Sequence, residues 1–243
     1  MIYEYIQSNG HHLMKIDGEV FVIDTGSPVS FTFKENNTMA LKALPFEFPG
    51  NMLGINKEKI EKLVGMELSG FIGLDLILRN GMTIDKGTSS VMLETDTDGM
   101  FYSFPVRFRT IQGIGLVDME CEINGKEVKA IFDTGASIGY VHKSLIGDSE
   151  CTGEITDYGP SFGGEIKTKK YKTTVSIGDI TTNTEMAKMT FAVEAEVGLL
   201  GYKAIFGLND FEWERVVIDP ENSCILFTEE KHRKGDFYES YQY

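Results

Sequence analysis

Short apolar runs broken by turn residues make up most of the chain, and one such pattern occurs twice. Ile16-Asp17-Gly18 is followed by the apolar run Val20-Phe21-Val22-Ile23 and then by Asp24-Thr25-Gly26-Ser27. The second copy reads Ile123-Asn124-Gly125, then Val128-Lys129-Ala130-Ile131-Phe132, then Asp133-Thr134-Gly135-Ala136. Asp-Gly and Asn-Gly accept the positive φ that both central positions of a two-residue hairpin loop need, so each copy is predicted to open with a β-hairpin. The later halves agree more closely. Phe71-Ile72-Gly73-Leu74-Asp75 matches Ile205-Phe206-Gly207-Leu208-Asn209, and Ile84-Asp85 and Ile218-Asp219 follow at the same distance from the glycine without a gap. Val91-Met92-Leu93 and Ile225-Leu226-Phe227 then end the copies as apolar strands.

Self-similarity on this scale marks a duplicated structural unit. The copies run from the N-terminus to Glu94 and from Leu116 to Thr228, and the join between them contains a strand-like stretch over residues 100–111. Residues 1–97 are expected to form an N-terminal lobe, and residues 98–243 a C-terminal lobe with the second Asp-Thr-Gly. One helix is predicted, with Asn56 as N-cap, apolar residues at helical spacing and Gly65 at its C-terminal end. Few other helix signals occur, so the expected architecture is all-β.

Composition narrows the function. At 243 residues, 42% hydrophobic, the chain can bury a real core, and it has no apolar run of membrane-spanning length. A net charge of −14 argues against nucleic acid, whose affinity rests on clustered Lys and Arg. The basic cluster Lys231-His232-Arg233-Lys234 reads as a solvated face. Three widely spaced cysteines and no signal segment fit a cytoplasmic protein without disulfides, metal or cofactor. His11-His12 has no second ligand pair and is expected on an exposed strand.

Each Asp-Thr-Gly lies at the end of an apolar strand, where an unpaired carboxylate would be costly. If the lobes pack about a pseudo-twofold axis, Asp24 and Asp133 face each other and share one proton, because neighbouring like charges resist double ionisation. Such a pair can take a proton from water and give one to a substrate carbonyl. Thr25 and Thr134 offer hydroxyls for bonds between lobes, and Gly26 and Gly135 leave room for backbone N–H groups. A threonine beside a buried aspartate can also do no more than satisfy local backbone groups.

These residues resemble the aspartic peptidase superfamily of pepsin and the retroviral proteases. The likeness covers both lobes: the two catalytic-loop sequences, and the hydrophobic-hydrophobic-Gly elements ending at Gly73 and Gly207. It implies a two-lobed acid-protease fold of closed β-barrel-like lobes, a catalytic dyad of Asp24 and Asp133, and an interlocking network through Thr25 and Thr134. It further implies a peptide or protein substrate, and a monomer, since one chain supplies both lobes. Ser27 is expected to hydrogen-bond Asp24, which Ala136 cannot do for Asp133, leaving Asp24 the ionised partner. The family also covers bound peptide with a hairpin flap. Tyr158, Gly159, Phe162 and Gly163 in the second lobe are the candidate, and residues 47–51 are a weaker counterpart in the first.

Two alternatives stand beside this reading. Gly135-Ala136-Ser137-Ile138-Gly139 matches the Gly-x-Ser-x-Gly of serine hydrolases, with His142 and His232 downstream, although that motif needs a strand-turn-helix context. A peptide-binding module could also keep the fold without catalysis.

Overall fold

Both turn pairs form the predicted hairpins in the computed structural model, which describes residues 1–34, 38–40, 44, 46–51, 54–111, 114–159, 164–178 and 180–228. Strands β1 (Ile2–Ser8), β2 (His11–Ile16) and β3 (Glu19–Ile23) run antiparallel, with Asp17 and Gly18 at φ of 53° and 85° between β2 and β3. Short strands β4 (Phe31–Thr32), β5 (Thr38–Ala40) and β6 (Glu47–Pro49) precede helix α1 (Lys57–Val64). That helix has the predicted caps. The Asn56 side chain accepts the Lys59 N–H at 3.0 Å, and Gly65 adopts the left-handed conformation that ends the last turn.

Strand β7 (Gly70–Ile72) lies parallel to β3, helix α2 (Leu74–Asn80) follows, and β8 (Met82–Asp85) and β9 (Ser90–Met92) complete the first copy. The chain continues through β10 (Tyr102–Pro105) and β11 (Arg107–Ile111) into the second hairpin, β12 (Ile114–Ile123) and β13 (Lys126–Phe132). Asn124 and Gly125 turn it at φ of 49° and 77°. After β14 (Tyr140–Val141) and helix α3 (Lys143–Ile146) comes a long antiparallel hairpin, β15 (Cys151–Gly159) and β16 (Gly164–Ile177), and then β17 (Ile180–Lys188). Helix α4 (Phe191–Leu199), β18 (Ala204–Phe206), a 3₁₀ turn at Leu208–Asp210, β19 (Arg215–Asp219) and β20 (Cys224–Thr228) end the described chain.

The result is mainly β and two-lobed. One sheet has the order β10-β20-β19-β8-β9-β1-β2-β3-β7-β4, so strands from beyond residue 97 extend the sheet of the first copy. The other has the order β11-β12-β13-β18-β14-β17-β16-β15 and closes on itself through a pairing of β12 with β16. The repeat is visible in the strand pairing. β3 with β7 and β13 with β18 are parallel, and β4 and β14 cross β7 and β18 antiparallel, with Phe31 opposite Phe71 and Tyr140 opposite Ile205.

Burial explains why the strands hold this register. Ile23, Phe132 and Phe206 are fully buried and sit directly before the Asp-Thr-Gly loops or the glycine behind the second of them, so a one-residue slip would turn them to the opposite face of the sheet and swing each aspartate out of place. A single core cluster joins both copies across these positions, while a separate cluster in each lobe supplies apolar side chains to the cleft between them.

Candidate active site

Each aspartate is held by the strand behind it. The Asp24 N–H donates to Ile72 O at 2.9 Å, and the Asp133 N–H to Phe206 O at 2.7 Å. The parallel pairs β3–β7 and β13–β18 thus deliver the two carboxyl groups to one point between the lobes, within hydrogen-bonding reach of each other. The threonines interlock there. The Thr25 N–H donates to Thr134 Oγ1 and the Thr134 N–H to Thr25 Oγ1, both at 3.0 Å; each hydroxyl then donates to a carbonyl of the opposite copy, Phe132 O and Ile23 O, also at 3.0 Å. Both threonines are wholly buried. Four buried backbone groups are satisfied through this exchange, which makes it costly to break.

The glycines matter for space. A Cβ on Gly26 would lie 2.7 Å from Asp133 Oδ2, and one on Gly135 would lie 2.6 Å from Asp24 Cγ. With no side chain there, Gly26 and Gly135 donate their N–H groups to Asp133 Oδ1 at 3.2 and 2.9 Å. Gly73 and Gly207 are equally confined, each against the backbone of the Asp-Thr-Gly loop it supports.

Burial pushes both carboxyls above the ordinary range, and the charge of Asp133 raises Asp24 further. The pair titrates as a unit carrying one proton through the acid range. Asp133 Oδ1 accepts two backbone N–H groups, and Asp24 Oδ1 accepts that of Ser27 at 3.0 Å. Burial together with the Asp133 charge raises Asp24 the further of the two, which favours Asp24 as the holder of the shared proton. The expected stabilisation of an ionised Asp24 by the Ser27 side chain does not form: the Ser27 hydroxyl donates to Val29 O at 2.8 Å.

A support network absent from the sequence reading lies beneath the loops. In the first copy the Gly73 N–H donates to Ser30 Oγ, and the Ser30 hydroxyl and N–H both donate to Asp75 Oδ1. In the second, Gly139 stands at the place of Ser30 and has no hydroxyl. Asp210 there reaches the Gly207 N–H directly at 2.7 Å and also accepts from the Gly139 N–H. Burial raises the Asp210 carboxyl to about 7. The ungapped alignment paired Asp75 with Asn209 and so missed this carboxylate by one position.

The histidines are buried, contrary to the expected exposed strand. The packing of the lobes encloses them. His12 is sandwiched between Tyr5 and Trp213, accepts or donates a 2.6 Å bond with Tyr5 Oη, and has its pKa lowered to about 3 by burial. His11 reaches across the lobes to Gly135 O at 3.3 Å and lines the cleft beside the dyad. Burial lowers its pKa as well.

The cleft has a volume of about 320 Å³ and is walled by apolar side chains of both lobes, with Asp24 and Asp133 at its floor. The β15–β16 hairpin crosses it. Tyr158 and Gly159 line the cleft, and the Tyr158 ring packs against the first-lobe cluster that walls it, with Lys59 Nζ of α1 5.5 Å from its centroid. Asp157, at the base of this segment, accepts from Tyr140 Oη at 2.6 Å and from the Tyr158 N–H at 2.7 Å. Phe162 and Gly163 lie outside the described residues, as do the basic cluster at 231–234 and His232. Residues 47–51 do not line the cleft: Phe48 is fully buried against Phe21, with ring centroids 4.8 Å apart. Ser137 gains no serine-hydrolase context. β14 follows it instead of a helix, and His142 is engaged in capping α3, accepting the Ser144 N–H at 3.1 Å.

No protein-family model matches the chain, and no curated protein matches it. Solved structures do. The crystal structure of Basic 7S globulin from soybean matches with a TM-score of 0.55 at 9% identity, over 96% of this chain and 96% of that one. That of conglutin gamma, a basic 7S globulin from lupine seeds, matches with 0.55 at 8% identity over 94% of each. The likeness is one of fold. Among the described residues no helix is long and apolar enough to cross a membrane, and no group of side chains is arranged to hold a metal ion.

Proposed function

We propose that this chain is an aspartic-type peptide hydrolase on the two-lobed acid-protease fold, with Asp24 and Asp133 as its catalytic dyad. The observation that carries the reading is the pair itself: two buried carboxyls from opposite copies, within hydrogen-bonding reach, locked by the exchanged hydrogen bonds of Thr25 and Thr134. In the proposed step a water held between the carboxyls attacks the scissile carbonyl carbon. Ionised Asp133 takes the water proton, and protonated Asp24 gives its own to the carbonyl oxygen. The tetrahedral diol then returns a hydroxyl proton to Asp24 while Asp133 passes its proton to the leaving nitrogen. The C–N bond breaks, and the dyad regains its single proton. The substrate is a peptide or protein segment lying under the β15–β16 hairpin, and one chain supplies both halves of the site.

A second reading has its own support. Both of the solved structures named above are called globulins, and no activity appears in their names. On this reading the cleft holds a peptide and cuts nothing. The comparisons speak for this reading, and the paired carboxyls speak for hydrolysis. A mixed peptide library incubated with the protein across a range of pH separates them. Cleavage lost in both Asp24→Asn and Asp133→Asn supports the hydrolase, while peptide binding without cleavage supports the binder.

A further inference from the structure

The two walls of the cleft differ in one side chain. The first-lobe wall, built on Val22, Ile60, Leu63, Val64 and Phe71, carries no charge. The second-lobe wall is apolar in the same way, with Leu116, Ile166, Val197, Leu200 and Ile205, but Glu196 of α4 joins it. Glu196 is half-buried and has no hydrogen-bond or ion-pair partner among the described residues. Its neighbour Glu194 is paired with Lys143 at 3.2 Å. No Lys or Arg lines the cleft; its other ionisable groups besides the tyrosines are Asp24, Asp133, Asp157 and His11.

A carboxylate partly withdrawn from water beside apolar side chains is unfavourable alone, and burial raises its pKa accordingly. A cation arriving on an apolar stem would relieve that cost. Lys and Arg suit such a place, since their methylenes can lie along Val197 and Leu200 while the charged head meets the carboxylate. We propose that Glu196 makes the second-lobe side of the cleft selective for a Lys or Arg side chain of the bound peptide, while the first-lobe side takes an apolar one. This rests on the reading of the cleft as a peptide site.

The test is a set of peptides with an apolar residue on one side of the scissile bond and either Lys or the uncharged, similarly long norleucine on the other, in both orientations. In one orientation Lys is expected to exceed norleucine in kcat/KM by about tenfold, the ratio given by one modest, partly desolvated charge pair. Glu196→Gln brings that ratio to near one, and Glu196→Lys inverts it in favour of a Glu-bearing peptide. Equal rates in both orientations, or a Lys preference that survives Glu196→Gln, overturn the proposal and leave hydrolysis standing. If the peptides bind uncut, hydrolysis fails, and the same ratios read as dissociation constants decide the role of Glu196. If none binds, both readings fall.

Discussion

Replacing Thr25 by valine removes one hydroxyl and little volume. That hydroxyl accepts the Thr134 N–H and donates to Phe132 O, both at 3.0 Å, and nothing else stands within the interlock to replace it. Thr25 is wholly buried, so water cannot rescue either backbone group. At 1–3 kcal/mol for each orphaned group, less the gain from burying a methyl in place of a hydroxyl, the expected loss of stability is about 3 kcal/mol. Thr134→Val should cost the same within about 0.5 kcal/mol, because its bonds are the symmetric counterparts, whereas Thr25→Ser keeps both bonds and loses only a methyl. Urea unfolding followed by fluorescence of the single tryptophan, Trp213, gives the midpoint and slope. A loss below about 0.5 kcal/mol for both valine variants would refute the claim that the interlock holds the lobes together.

Three further outcomes follow from the site. Gly26→Ala places a methyl against the Asp133 carboxyl, so the protein should fold while kcat/KM drops by more than about a hundredfold; near-normal rates would contradict the tight geometry. Asp24 and Asp210 both have folded-state pKa values raised above those of the unfolded chain, so the fold binds more protons than the unfolded chain between those values. Each therefore lowers stability as pH climbs from the ordinary aspartate range, about 4, through its folded value, which for Asp210 is about 7. Asp24→Asn should accordingly raise the thermal midpoint more at neutral pH than in mild acid, and Asp210→Asn should flatten the fall in stability between acid and neutral pH even though it weakens the bond to the Gly207 N–H. A pH-independent effect of either variant would contradict the assigned directions. Ser137→Ala should keep hydrolysis within about twofold, since no described histidine reaches it; its abolition would favour a serine mechanism.

Local chemistry made part of this site readable from residues alone. The Asp17-Gly18 and Asn124-Gly125 turns, the Asn56 and Gly65 caps and the two Asp-Thr-Gly loops each depend on a few adjacent residues, and each formed as expected. α2 went unread because seven residues give too few turns for an apolar period to emerge, and α4 because Phe191 and Leu199 are apolar yet exposed at its ends. The burial of His11, the approach of Tyr158 to α1 and the isolation of Glu196 arise only when the lobes meet, which no local pattern encodes. The Ser27 expectation failed for a related reason. A hydroxyl next to a carboxylate in sequence found a nearer acceptor, Val29 O, once the loop closed.

In the proposed reaction Asp24 and Asp133 together hydrolyse a peptide bond through water. Single-turnover cleavage of a peptide in ¹⁸O-labelled water, run with the wild-type protein, Asp24→Asn and Asp133→Asn, puts that reaction to the test. One labelled oxygen is expected in the new carboxyl group, with no covalent adduct on the protein and no product from either variant. Peptide bound but left intact by the wild-type protein, or cleavage that survives loss of either aspartate, would contradict it.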